Sequence, residues 1–139
     1  MFKKVVVGGT FNRIHKGHDD LLKTTFNIGE YVYIGLTSDK FANLFRAEKV
    51  LEYKKRKENI EKKISALNLQ NNYEILKIDD MYGIATLKED LNAIVVSEET
   101  LPRAQEINAI RFKKGLKRLI MVVVPLALKN NKPVSASMM

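Results

Sequence analysis

The residues best suited to chemistry lie in one short stretch, Val5–His18, which reads VVVGGTFNRIHKGH and contains both histidines of the chain, His15 and His18. Its glycines let a ligand approach the backbone closely, and Thr10 adds a hydroxyl. Imidazoles at the amino end of a helix are well placed to hold an anion, because the first-turn N–H groups have no partner within the helix. The stretch therefore has the parts of a phosphate-binding loop.

The known phosphate-binding patterns do not fit this stretch. Neither G-x-G-x-x-G nor G-x-x-x-x-G-K-[ST] matches, since Lys16 precedes Gly17 instead of following it. A zinc site is also disfavoured, because the chain has no cysteine and the helix is expected to begin only at Gly17. We expect no metal held by protein ligands here.

The length of 139 residues and the hydrophobic content of 45% predict one domain, residues 1–139, with a single hydrophobic core. The absence of cysteine excludes disulfides and thiolate chemistry and favours a cytoplasmic protein. No apolar signal segment precedes the first motif. The longest apolar run, Leu119–Leu128, is half the ~20 residues that span a bilayer, so it predicts a buried strand and no membrane partner.

The net charge of +8 predicts affinity for a polyanion. Residues 40–63 alone contain nine basic and four acidic side chains, a local charge of +5. Nucleic acid, a nucleoside triphosphate and a phosphorylated small substrate all fit such a surface, as does a merely solvated helix face. Aromatic residues are not interleaved with the basic run as single-strand stacking requires, so we expect no nucleic-acid partner.

Hydrophobic periodicity predicts strands and helices in alternation. The predicted strands are Lys3–Val7, Tyr31–Leu36, Tyr73–Ile78, Ala93–Ser97 and Leu119–Val124. The predicted helices are Gly17–Ile28, residues 38–45, Tyr53–Leu67 and Pro102–Lys114, with Gly29 and Gly115 as helix stops. This order predicts an α/β fold, a three-layer doubly wound (Rossmann-like) sandwich with a five-stranded parallel sheet.

Ligands of such folds bind beyond the carboxyl ends of the strands, at the switch point in strand order. Polar groups follow several of the predicted strands, which places the candidate site at that rim. They are the loop after the first strand, the segment 37–40, Asp79 and Asp80, and Ser97, Glu98 and Glu99.

The motif His15-Lys16-Gly17-His18, preceded by Gly9-Thr10-Phe11, resembles the H-x-G-H signature of a nucleotidyltransferase superfamily. Within it the chain resembles the archaeal-type phosphopantetheine adenylyltransferase family, on IGLTSDKF, YKKRKENI, IDDMYG, VVSEET and INAIR in the expected order, over residues 2 to about 135. The resemblance implies transfer of AMP from ATP to 4'-phosphopantetheine, giving dephospho-coenzyme A and pyrophosphate. It implies ATP as a substrate, Mg²⁺ accompanying it, and small molecules as the partners.

The resemblance also implies roles for individual residues. Thr10, His18 and Lys40 are the candidates for stabilising transition-state charge, and the acceptor would contact Thr10, Lys40 and Asp80. The implied nucleotide-binding residues are Gly9, Thr10, Phe11, His15, Gly17, His18, Ser97, Glu98, Arg111, Ser135 and Ser137.

Several of these roles have competitors. Arg46 and Lys49 compete with Lys40 as the phosphate clamp. Asp79 and Asp80 could instead cap their loop or carry a magnesium ion through water. Glu98 could be an ordinary acidic residue near a helix start, and Thr10 a turn residue.

The chain ends in PVSASMM, where Ser135 and Ser137 retain hydroxyls but Met138 stands where the family has an arginine. This difference indicates a shortened end, a lost phosphate contact or a weak site.

Other functions remain open from the residues alone. A related transferase could use CTP with a phosphorylated alcohol, or ATP with flavin mononucleotide, since the first motif would look the same. A non-catalytic nucleotide- or RNA-binding module is the alternative from another class. The oligomeric state is not predicted.

Overall fold

The computed structural model describes residues 1–12, 16–44, 50–83, 89–98, 100–125, 128–129 and 132–133. The main strands are β1 (Phe2–Gly9), β2 (Gly29–Thr37), β3 (Asn72–Ile78), β4 (Ala93–Ser97) and β5 (Ile120–Val124). The helices are α1 (Lys16–Ile28), α2 (Asp39–Leu44), α3 (Tyr53–Ala66) and α4 (Leu101–Lys113). The short elements are a 3₁₀ turn (Met81–Gly83) and the antiparallel strands β6 (Leu128–Lys129) and β7 (Lys132–Pro133).

The five main strands form one parallel sheet in the order β3-β2-β1-β4-β5. The predicted α/β fold with a five-stranded parallel sheet is confirmed. Strand β1 lies in the middle, and the chain order reverses on its two sides, so the switch point is between β1 and β4. We call the side at which the strands end the carboxyl edge, and the opposite side the amino edge.

Both faces of the sheet are covered because the central strand is apolar on both sides. Val5 and Val7 pack with Leu22 of α1, in a cluster that also includes residues of α3. Val6, which points the other way, packs in a second cluster with Ile107 of α4. A continuous valine run of this kind is typical of a buried parallel strand.

The two glycines predicted to end helices act for different reasons. Gly115 has a φ of 77°, the left-handed conformation expected after α4. Gly29 instead begins β2, directly after α1 ends at Ile28. A Cβ at Gly29 would lie 2.7 Å from Cγ2 of Val5, so this position needs a glycine for close packing against β1.

Helix α4 is joined to the start of β5 by the side chain of Asn108, which is buried. Its Nδ2 donates to the Leu119 carbonyl over 2.9 Å, and its Oδ1 accepts from the Leu119 N–H over 2.6 Å. The amide thus satisfies both backbone groups of a buried residue, which would otherwise be costly to remove from water.

Replacing Asn108 by alanine should lower the free energy of unfolding by about 2–4 kcal/mol, because two buried backbone groups lose their partners. Urea unfolding followed by circular dichroism measures this loss. The exposed Gln105 of the same helix is the matched control, and Gln105→Ala should change stability by less than about 0.5 kcal/mol. Equal effects of the two substitutions would contradict this account of the Asn108 amide.

Candidate phosphate-binding site

The loop after β1 is shaped by Phe11, whose φ of 49° is uncommon for a bulky residue. Its ring is almost fully buried, and it packs against the imidazole of His18 with ring centroids 5.0 Å apart. The core thus holds Phe11 in this conformation, and Phe11 in turn supports one side of His18.

Gly9, the last residue of β1, makes room for that ring. A Cβ at this position would lie 3.1 Å from Cε2 of Phe11, closer than a normal contact. Gly9 was predicted to let a nucleotide approach the backbone. The structure adds a second reason for glycine, which is the packing of Phe11 beside His18.

His18 is the third residue of α1, where it is mostly buried. Gly17 is the second residue of the same helix. The N–H groups of a first helical turn have no intrahelical partner and carry the positive end of the helix dipole. Both residues therefore lie where an anion is favoured, next to the end of β1.

The end of β2 lies against the same loop. Thr37 is buried, and its hydroxyl donates to the hydroxyl of Thr10 over 3.0 Å. The next residue, Ser38, continues the sheet with an N–H bond to the Ile78 carbonyl. Lys40 follows as an exposed residue in the first turn of α2. The structure thus brings Thr10 and the backbone of Lys40 to one part of the carboxyl edge.

The residue that connects these segments is Arg56 of α3, which has no exposed surface. Its Nη1 donates to the carbonyls of Thr10 (3.0 Å) and Thr37 (2.9 Å), and lies 3.3 Å from Thr37 Oγ1. Its Nε donates to the Leu51 carbonyl over 2.7 Å, and its Nη2 pairs with Asp39 Oδ1 over 2.9 Å. One guanidinium therefore joins the loop after β1, the end of β2 and the start of α3.

Arg56 was counted in the basic run, for which a solvated helix face was one interpretation, and for this residue that interpretation is wrong. Lys54 and Lys55 are exposed as expected. Arg56 instead points inward on the apolar side of α3 that also carries Ile60 and Ile64. The signal in the sequence is its spacing of four and eight residues from those isoleucines.

A second link comes from Asn12, which is buried in the same loop. Its Oδ1 accepts from the Leu51 N–H over 2.8 Å. Asp39 Oδ1 also accepts from the Tyr53 N–H over 2.7 Å. The backbone of the segment that leads into α3 is therefore hydrogen-bonded to the loop after β1 and to the start of α2.

On the other side of the switch point, Ser97 ends β4 and is buried. Its N–H donates to Thr100 Oγ1 over 3.0 Å, and the two hydroxyl oxygens are 3.2 Å apart. This turn leads directly into α4, and Glu98 within it is exposed. Ser97 and Glu98 therefore lie at the carboxyl edge, across the switch point from the end of β1.

Asp80 follows β3 at the same edge, but its side chain is used locally. Its Oδ1 accepts from the Gly83 N–H over 2.6 Å, which caps the 3₁₀ turn. In that turn Tyr82 is hydrogen-bonded to Glu106 of α4, which raises the pKa of the Tyr82 hydroxyl. The structure therefore supports the loop-capping role of Asp80 that was the alternative to substrate binding.

Arg111 does not lie at the candidate site, contrary to the role that the resemblance implied. It is fully buried, and it donates to the carbonyls of Lys117 (2.7 Å) and Glu89 (3.2 Å). Those residues precede β5 and β4, so Arg111 belongs to the amino edge. Burial lowers the pKa of its guanidinium. With Asn108 three residues earlier, it explains the Asn-x-x-Arg pattern as a structural one.

Some predicted site residues lie outside the described residues: His15, Arg46, Lys49, Glu99, Ser135 and Ser137. Among the described residues, no group of three or more histidine and acidic side chains could hold a metal ion. In the same part of the chain, no helix has the length and apolar character needed to cross a membrane.

Two proteins that carry the same name are similar to this chain in sequence. A "Phosphopantetheine adenylyltransferase" of Thermococcus kodakarensis is 47% identical over 126 residues, covering 90% of this chain and 76% of the relative. A protein of the same name from Methanopyrus kandleri is 39% identical over 127 residues, covering 91% and 81%.

Solved structures share the fold. That of a protein of unknown function from Archaeoglobus fulgidus has a TM-score of 0.78 and 34% identity, covering 87% of this chain and 88% of that one. A lipopolysaccharide core biosynthesis protein from Thermoplasma volcanium has a TM-score of 0.70 but 19% identity, covering 89% and 97%, so it supports the fold alone. A family model described as cytidylyltransferase-like matches residues 6–139, and on this match the chain belongs to the cytidylyltransferase-like family.

Proposed function

We propose that this protein is a phosphopantetheine adenylyltransferase, which transfers AMP from ATP to 4'-phosphopantetheine and so forms dephospho-coenzyme A and pyrophosphate in coenzyme A synthesis. The observation that carries the proposal is the 47% identity to a relative of that name over 90% of the chain. The family model, which matches residues 6–139, covers part of strand β1 and the loop that follows it, beside the switch point.

The reaction needs no protein nucleophile. An oxygen of the acceptor's phosphate attacks the α-phosphorus of ATP, the bond between the α-phosphorus and the bridging oxygen breaks, and pyrophosphate leaves in line. The protein must therefore position the two substrates and stabilise charge in the transition state. Hydrogen-bond donors fixed in advance are the groups that do this.

The described residues provide such donors at the carboxyl edge. Thr10 supplies a hydroxyl, which we assign to the acceptor phosphate. His18 and the first-turn N–H groups of α1 are assigned to the α-phosphate. Lys40 is exposed nearby and has room to reach the phosphates. The nucleotide would extend from Gly17 towards Ser97 and Glu98, across the crevice between β1 and β4.

Magnesium belongs to this proposal as an ion that accompanies the triphosphate. The described residues provide no carboxylate cluster for it. Mg²⁺ commonly keeps several waters and binds through substrate phosphates, so a dedicated protein site is not required. A cytoplasmic location, with small molecules and neither nucleic acid nor membrane as partners, completes the proposal.

The proposal is tested by pyrophosphate release from the purified protein, with ATP or CTP offered against 4'-phosphopantetheine, glycerol 3-phosphate and flavin mononucleotide separately. We expect release only from ATP with 4'-phosphopantetheine. Release with another pair would reassign the substrates within the family. RNA binding that weakens steeply with salt and is not displaced by ATP, without any turnover, would indicate a binding module instead.

His18→Ala should lower kcat by about 10²–10³-fold, the usual effect of removing one donor to transition-state charge. Circular dichroism and the thermal midpoint should show a folded protein. Lys23→Gln, on an exposed position of the same helix, is the control and should leave kcat within twofold. Unchanged turnover of His18→Ala would remove this imidazole from the mechanism.

Lys40→Ala should lower kcat/KM by about tenfold or more, because a positive charge near the phosphates is lost. Arg46→Ala and Lys49→Ala are measured in parallel, since both compete for this role. The double substitution of Lys54 and Lys55 by glutamine, on the exposed face of α3, should have little effect. A larger loss for Arg46→Ala or Lys49→Ala than for Lys40→Ala would reassign the clamp.

A further inference from the structure

Three side chains form a continuous hydrogen-bonded series from helix α3 to the loop after β1. Arg56 Nη1 lies 3.3 Å from Thr37 Oγ1, and Thr37 Oγ1 lies 3.0 Å from Thr10 Oγ1. Arg56 and Thr37 are at most 1% exposed, whereas Thr10 is half-buried. The series therefore runs from the interior to the candidate site.

The direction of the hydrogens in this series is determined by the guanidinium. An arginine side chain has only donors and no acceptor, so Thr37 Oγ1 must accept in its contact with Arg56. The single hydrogen of the Thr37 hydroxyl is then available for Thr10 Oγ1, which accepts it. Within the described part of the chain, the Thr10 hydroxyl donates to no other group. Its hydrogen is left for an oxygen outside the protein.

Burial keeps this direction stable. Water does not compete for Thr37, and hydrogen bonds are stronger and more polarising where the dielectric is low. The charge of Arg56 is compensated by Asp39, and its carbonyl contacts to Thr10 and Thr37 fix the distance between the two segments. A hydroxyl that has already accepted a bond is also a better donor in such a series.

We propose that Thr37 and Arg56 are positioning residues that hold the Thr10 hydroxyl as a hydrogen-bond donor towards an anionic phosphate oxygen of the substrates. Neither residue touches the substrate, and both act through Thr10. This inference rests on the proposed function, because it assigns the phosphate oxygen as the partner of Thr10.

The test compares Thr37→Val, which removes the hydroxyl from a side chain of similar shape, with Thr37→Ser, which keeps it. Arg56 Nη1 retains both carbonyl acceptors in either variant. We expect Thr37→Val to lower kcat/KM for pyrophosphate release by about tenfold, and Thr37→Ser to stay within about twofold of the original protein. Thermal midpoints are measured alongside, so that a loss of stability is seen separately.

The decisive measurement is a double-mutant cycle with Thr10→Val. If Thr37 acts through Thr10, Thr37→Val should cause no further loss once the Thr10 hydroxyl is absent. A merely structural Thr37 would reduce activity equally in both backgrounds, and that result would overturn the inference. Equal activity of Thr37→Val and the original protein would overturn it as well.

The same cycle separates this inference from the proposed function. If the original protein releases no pyrophosphate from ATP and 4'-phosphopantetheine, the proposed function fails, and the cycle is repeated on the affinity for 4'-phosphopantetheine by calorimetry. Coupling between Thr37 and Thr10 in that affinity would support the positioning role, whereas additive losses would overturn it. A protein that neither turns over nor binds 4'-phosphopantetheine would overturn both proposals.

Discussion

The structure of the candidate site depends on the burial of one positive charge. Removing a guanidinium from water is costly unless its donors are satisfied, and Arg56 meets this condition with three backbone carbonyls, one hydroxyl and one carboxylate. Because those acceptors belong to separate segments, the cost of burial is offset only when the segments are correctly assembled. The loop with Thr10, the end of β2 and the start of α3 are therefore tied to one arrangement.

A second buried arginine has a related role at the opposite edge of the sheet. Arg111 donates to the carbonyls of Glu89 and Lys117, before the starts of β4 and β5. Asn108, one turn earlier on α4, holds the backbone of Leu119. The contacts at the amino edge hold α4 and the strand starts together, whereas those at the carboxyl edge fix the loops at the edge where folds of this kind bind ligands.

The five-stranded fold was predictable from the sequence because most elements have a clear hydrophobic pattern, but β5, predicted as a buried strand, exposes Ile120 and Val123. The valine run of β1 and the spacing of Leu22 and Phe26 on α1 leave little choice of structure. The same topology predicts that the site lies at the carboxyl edge, and this stays a prediction. What was not predicted was the role of individual charged residues. Arg56 follows two exposed lysines, so the composition of this run gives no sign that its side chain is buried.

The two arginines whose roles were predicted differently share one pattern that the sequence does contain. Arg56 continues the apolar stripe of Ile60 and Ile64, and Arg111 continues that of Ala104 and Ile107. A charged residue on the buried side of a helix must find acceptors, and at the end of an α/β helix the nearest ones are carbonyls of the adjoining loops. Whether those loops belong to the carboxyl or the amino edge depends on the residue's position along its helix. Arg56 is in the first turn of α3 and reaches the carboxyl edge, whereas Arg111 is in the last turn of α4 and reaches the amino edge. Since every helix between parallel strands begins at the carboxyl edge and ends at the amino edge, this position predicts which edge a buried arginine of the helix reaches.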